Sequence, residues 1–167
     1  MSNPQELFVD LSKDPVFKTW IKNNPEAFLS HFFAPIDSLL QPKEEWEIGF
    51  YEPLTDLITV FKPLVKSGFE IRPAAEIFKA PDSSVETLEM DDVQCSFDDA
   101  CTVARVQFAE LFPSEKCGDG FVILQSTDQL ALWNFTLISQ SLKFLNVKIN
   151  ASTSKLASHQ VIELVQK

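Results

Sequence analysis

The sequence predicts an α+β protein with antiparallel sheet packed against helices, arranged as two similar halves, each a helix followed by three strands. Three observations carry that reading. Residues 132–153, LWNFTLISQSLKFLNVKINAST, hold two runs of alternating side chains with little between them. Residues 97–111 keep Phe97, Ala100, Cys101, Ala104, Phe108 and Leu111 at helical spacing until Pro113. Two-residue alternation also occurs earlier, at Trp46, Ile48 and Phe50.

In chain order, Asp14 before Pro15 reads as a helix start, a capping carboxylate followed by a proline whose missing N–H is harmless there. Phe17, Trp20 and Ile21 form its apolar stripe. Asn24 and Pro25 repeat the signal, and Phe28, Leu29, Phe32 and Phe33 suggest a second short helix that Pro35 ends or bends. After Pro42 the period becomes two. Residues 46–51 read as a half-buried strand, Pro53 falls in a turn, and LITVF at 57–61 is apolar on both faces, as in a central strand. A third strand follows Gly68 over 69–72, where Pro73 interrupts it, and residues 76–79 either continue it or form a separate edge.

Residues 81–100 carry seven carboxylates and no basic residue. The expected organisation is therefore an N-terminal unit over 1–81, a solvated acidic connector over 82–95, and a second helix-plus-sheet unit over 96–167. Ser96 with Asp99 fits a capping box for the helix that follows. Residues 116–120 read as a turn and 121–124 as a short strand. The two alternating runs come next. Trp133, Phe135 and Leu137 oppose Asn134 and Thr136, while Leu145, Val147 and Ile149 oppose Asn146, Lys148 and Asn150. A sheet with helices on one face and water on the other needs this alternation. Residues 156–167 fit strand or helix equally. Strand, turn and strand recur in both halves, in WEIGFY-EPLTD-LITVF and FVILQ-STDQ-LALWNFTL, a repeat of pattern rather than of letters.

Bulk properties narrow the classes. The 167 residues suffice to bury a core without metal or disulfide staples. A net charge of −10, with no basic run, repels nucleic acid. No stretch of about 18 apolar residues is present to span a membrane, and the first residues do not read as a secretory signal. Three cysteines cannot all pair, which suits a reducing compartment, so the chain is expected to be cytoplasmic. The glycosylation patterns at Asn134 and Asn150 are then chance matches.

The Trp133-led strand, and the strand 147–149 running into Asn150-Ala151-Ser152-Thr153-Ser154, resemble the small PepSY module, in which a helix lies over an antiparallel hairpin. That likeness covers about a third of the chain; Asn150 and Ser154 stand where the family has aspartate and glycine. It implies a PepSY/cystatin-like fold and a role in inhibiting or regulating partner proteins.

No motif commits the chain to a reaction. Cysteines six and sixteen residues apart, with His31 and His159 distant, do not supply a zinc set. The acidic stretch lacks the glycine bend and terminal glutamate of a calcium loop. Four scattered glycines build no phosphate cradle. Cys101 reads as core, while Cys117 in a loop is the one thiol whose reactivity would revive an enzyme reading. No catalytic residue, metal or cofactor is expected. The leading expectation is a non-catalytic module binding protein or peptide, through an edge strand or by self-association. A small apolar ligand in an aromatic-lined cavity is the alternative, and an enzyme comes third. Trp46 and Tyr51 beside the first hairpin, with Asn134, Thr136, Asn146 and Lys148 on the polar strand face, form the expected partner or ligand surface.

Overall fold

The computed structural model describes residues 2–76 and 84–164. Asn3 opens helix α1 (Pro4–Lys13) with a full capping box, its side chain taking the Glu6 N–H while Glu6 reaches back. Asp14 ends α1 and caps α2 (Pro15–Asn23) through the Val16 N–H at 2.9 Å. Four strands follow, β1 (Phe28–Ile36), β2 (Glu47–Glu52), β3 (Leu57–Pro63) and β4 (Phe69–Glu76). After a single helical turn at Met90–Asp92 come α3 (Phe97–Leu111), β5 (Cys117–Thr127), β6 (Leu130–Ser139), β7 (Lys143–Asn150) and β8 (Leu156–Glu163). The Ser96 hydroxyl caps α3 by accepting the Asp99 N–H at 3.1 Å.

All eight strands belong to one antiparallel sheet in the order β4-β3-β2-β1-β5-β6-β7-β8. The α+β class is as expected, but each half holds four strands rather than three. One extra strand is β1, where a helix was expected. Phe32, Ala34 and Ile36 are buried in alternation with partly exposed His31, Phe33 and Pro35, which is strand periodicity. Pro35 is tolerated in this central strand because β1 pairs with β2 only as far as Phe33; its carbonyl accepts Lys43 N–H at 2.8 Å, and no ladder partner needs its missing donor. The other extra strand is β8, from the ambiguous tail. Residues 165–167 and 77–83, including most of the expected continuation at 76–79, lie outside the described residues.

Two further boundaries differ from expectation. Strand β4 runs through Pro73 to Glu76, with a register shift across residues 72–75 that absorbs the proline at a sheet edge. Strand β5 begins at Cys117 inside the expected turn and shifts register before Gly120. A Cβ at Gly120 would lie 1.8 Å from the Thr136 carbonyl oxygen, so only glycine fits there.

Three helices cover one face of the sheet. Phe17 and Trp20 of α2 pack on Phe50 and Phe61, with ring centroids 4.9–5.8 Å apart. Phe97 of α3 packs among Trp46, Trp133 and Phe135. Leu7 and Leu11 of α1 join the same core. The acidic connector is packed rather than solvated over its described part. Leu88, Val93 and Cys95 are buried, the Leu88 N–H bonds to Leu29 O, and the indole N–H of Trp133 donates to Cys95 O at 3.1 Å.

Glu86 shows why the connector carries carboxylates. Its side chain accepts the N–H groups of Asp128 and Gln129, each at 2.7 Å. Those residues form the two-residue β5–β6 turn with φ of 51° and 66°, a geometry that favours glycine. Replacing Glu86 with alanine should lower unfolding stability by about 1–2 kcal/mol, the scale of hydrogen bonds to a charged group at a partly exposed site. Adding Gln129→Gly should recover part of that loss, and urea denaturation of both variants measures it.

Candidate partner-binding surface

The face of the sheet away from the helices brings several expected site residues together. Cross-strand pairing sets Asn134 opposite Lys148 and Thr136 opposite Asn146, with Gln160 and Ser158 of β8 beyond them. Asn146 donates through Nδ2 to Asn134 Oδ1 at 2.5 Å, to Thr136 Oγ1 at 3.0 Å and to the Phe135 carbonyl at 3.1 Å. It is 6% exposed and its Oδ1 has no protein partner among the described residues. The polar side of this hairpin is therefore wet at Lys148 and Asn134 but closed over at Asn146 and Thr136.

Trp46 and Tyr51 do not join that group. Trp46 is 1% exposed in the core, its ring against Phe97 and Trp133, because it shares a strand face with Ile48 and Phe50 and that face is covered by helices. Tyr51 lies on the open face in the first half, but it is buried, with its ring against Phe28 and its hydroxyl donating to Asp56. Phe33, Phe121 and Ile123 form a half-buried apolar strip between the two groups. Sequence reasoning missed that strip because Phe33 was counted on a helix.

Burial disfavours the thiolate form at all three cysteines. Burial pushes Cys101 up to about 12, the largest cause, with Asp98 and Cys95 adding to it against Arg105. Cys117 is raised by burial first and by the Glu115 carboxylate second, the opposite of what activates a thiolate. Among the described residues no cluster of three or more His, Cys, Asp or Glu is placed to hold a metal. No helix of the described residues is long and apolar enough to cross a membrane.

A shallow groove of about 510 Å³ runs between α2 and β4, lined by Pro15, Val16, Thr19, Trp20, Asn23 and Ile71. At the opposite end of the sheet β8 is an edge strand. Its residues are exposed from Ala157 onward, with Val161 at 46% and Ile162 at 48%. The ring of His159 reaches back to Phe112 below α3, at 6.5 Å. The hydrogen bonds of β8 fix which backbone groups are free. Leu164 N–H bonds to Leu142 O on the β7 side, and pairing continues through Phe144 with Ile162 and Asn146 with Gln160. Alternation then turns the N–H and C=O groups of His159, Val161 and Glu163 outward.

Comparisons with known proteins give a fold and no family. No protein-family model matches the chain, and no curated protein matches it. The PepSY likeness therefore has no support from a family match. One solved structure, described as a "putative lipoprotein" from Clostridium difficile 630, is similar in fold, with a TM-score of 0.53 and 6% identity over 87% of this chain and 90% of that one.

His31 reports on how tightly the open face is built. Its ring lies over Gly49 across the β1–β2 pair, where an added Cβ would come within 2.1 Å of Cε1. Nδ1 sits 3.0 Å from the Ser30 hydroxyl. Burial holds the imidazole down to about 4, so it is neutral at pH 7. The unfolded chain takes up this proton near the ordinary imidazole value of 6.5. Between those values the unfolded state binds more protons, so stability falls as pH drops from about 6.5 to about 4. The loss is at most about 3 kcal/mol, and less to the extent that solvent reaches the ring. In Gly49→Ala the new methyl should expel the ring, returning its titration toward 6.5 and flattening this acid slope. NMR titration of the His31 ring measures both, and a midpoint still near 4 would refute the enclosure.

Proposed function

We propose that this chain is a non-catalytic protein- or peptide-binding module that accepts an extended partner strand along the outer edge of β8. The observation that carries this is the outward row of backbone groups at His159, Val161 and Glu163 beside exposed Val161 and Ile162. Such a row is a template for strand addition, where main-chain hydrogen bonds supply affinity and flanking side chains supply selectivity. The contrast between the two edges supports the choice of β8. Each edge strand carries one register shift, but β4 adds charged Glu70 and Arg72 and a proline at position 73, devices that keep edges from pairing. From Leu156 to Ile162, β8 has no proline and no acidic, lysine or arginine residue. The PepSY-like pattern of the second half agrees with a role in regulating a partner. The odd cysteine count favours a cytoplasmic setting, whereas the description of the structural neighbour favours a lipid-anchored one; cell fractionation separates them.

Peptides selected from an array of random extended sequences should protect the His159, Val161 and Glu163 amides from hydrogen exchange. Val161→Pro removes one outward donor while sparing the β7 ladder, and should weaken such binding tenfold or more. Binders indifferent to that change would move recognition off this edge.

The groove between α2 and β4 supports a second reading, a small apolar ligand. Trp46 and Trp133 are 1% and 0% exposed, so fluorescence changes on ligand addition report Trp20. A ligand seated there should shift Trp20 emission, and Val16→Lys should abolish the shift. Emission unchanged across a panel of fatty acids and aromatic probes counts against it.

A further inference from the structure

Positions equidistant from His159 in β8 and its flanks are similar in polarity, apart from the two ends, which carry opposite charges. Lys155 and Glu163 each stand four residues from His159, with an uncharged stretch between them. The backbone groups of His159 point outward, so a two-fold axis can pass beside His159 with the same residue from each copy forming a hydrogen-bonded pair. An antiparallel arrangement about that axis brings the Lys155 end of each strand, just beyond the register shift between Ser158 and Leu156, near the Glu163 end of the other. It also brings Leu156 and Ala157 of one copy near Val161 and Ile162 of the other, covering Val161 and Ile162, which are otherwise half exposed.

We propose that the strand accepted by β8 is β8 of a second copy, so that the sheet continues across a two-fold homodimer. This rests on the edge-strand function above and names its partner. Two observations favour a copy of the same chain over an unrelated peptide. The first is charge. The molecule carries a net −10, which opposes bringing two copies together, yet the strip that would meet is uncharged, and opposite charges flank it at both ends. Within its own chain Glu163 faces Lys143, which is held at 2.7 Å by Glu115 and attracts Glu163 as a second, weaker partner. The second is direction. A parallel β8–β8 pairing would set Lys155 on Lys155 and Glu163 on Glu163, so the flanking charges select the antiparallel arrangement.

Sedimentation of the wild-type chain over a concentration series should show a monomer–dimer equilibrium, lost in Val161→Pro. Lys155→Glu alone gives like charges at both ends of the pairing, and so does Glu163→Lys alone. Each should weaken self-association by roughly tenfold, two unfavourable cross-strand pairs on the scale of up to about 1 kcal/mol apiece. An equal mixture of the two variants restores Lys–Glu or Glu–Lys contacts at both ends and should regain wild-type affinity as a heterodimer. Single variants that associate like wild type, or a mixture that does not recover, would overturn the pairing. A wild-type chain that stays monomeric into the high micromolar range would overturn the homodimer as well. If array-selected peptides still protect the His159, Val161 and Glu163 amides in that case, the edge-strand function stands with another partner. If they do not, both fail.

Discussion

Six residue pairs, from His31 with Gln125 to Ile36 with Gly120, stitch β1 to β5 and make one sheet of two four-stranded halves. Without this seam each half would expose a central strand whose backbone groups need partners on both sides. The seam also places Phe32, Ala34 and Ile36 beside Val122 and Leu124, which are 0% exposed and sit under the helices that flank them. The helical cover is thus shared. Trp46 from the first half packs on Phe97 and Trp133 from the second, so the two units have one core and not two. The connector over 84–95 follows from the same constraint. It has to return from the β4 edge to the middle of the sheet, and it does so through buried Leu88, Val93 and Cys95 rather than through solvent.

Much of this was legible locally and some was not. Helices α2 and α3 are written in their caps and stripes, β2, β6 and β7 in their alternation, and β3 in a short run apolar on both faces. Helix α1 had an equally plain signal, Asn3-Pro4 with Glu6, a capping box with proline at the first turn. Strand β1 was not readable, because Phe28, Leu29, Phe32 and Phe33 satisfy helical spacing while Asn24 and Pro25 imitate a helix start. What decides the matter is the presence of β2 and β5 on either side, with pairing partners 14 to 94 residues away in sequence. Strand β8 was unreadable for the reverse reason: an edge strand with both faces largely wet has no hydrophobic period to detect.

The candidate surface divides the same way. Alternation correctly put Asn134, Thr136, Asn146 and Lys148 on one face, and the side of Val147 and Ile149 under the helices. It could not show that Asn146 is enclosed, because that enclosure comes from the strands on either side of it. Trp46 was misassigned to the surface although its own alternation with Ile48 and Phe50 already placed it with the core. Glu86 was hidden inside a charge run, where a carboxylate gripping two turn amides looks the same as one in solvent. The edges carried no motif at all, and their functional difference emerges only once the order of strands is known.

That difference between edges has a consequence for assembly. The two halves share a topology, so β4 and β8 are equivalent fourth strands at opposite ends of the sheet. If both were open to pairing, β4 of one copy could join β8 of the next, a head-to-tail contact that does not close and grows into fibres. Each edge strand carries one register shift, but β4 adds Glu70, Arg72 and Pro73, and β8 between Leu156 and Ile162 has no proline and no acidic, lysine or arginine residue. In the proposed pairing, a single adhesive edge would end association at two copies, because pairing consumes the edge each brings. The proposed pairing would convert an aggregation hazard intrinsic to any open sheet into a closed two-fold contact. The asymmetry between two otherwise equivalent strands is what a chain that pairs through one edge, and only one, requires.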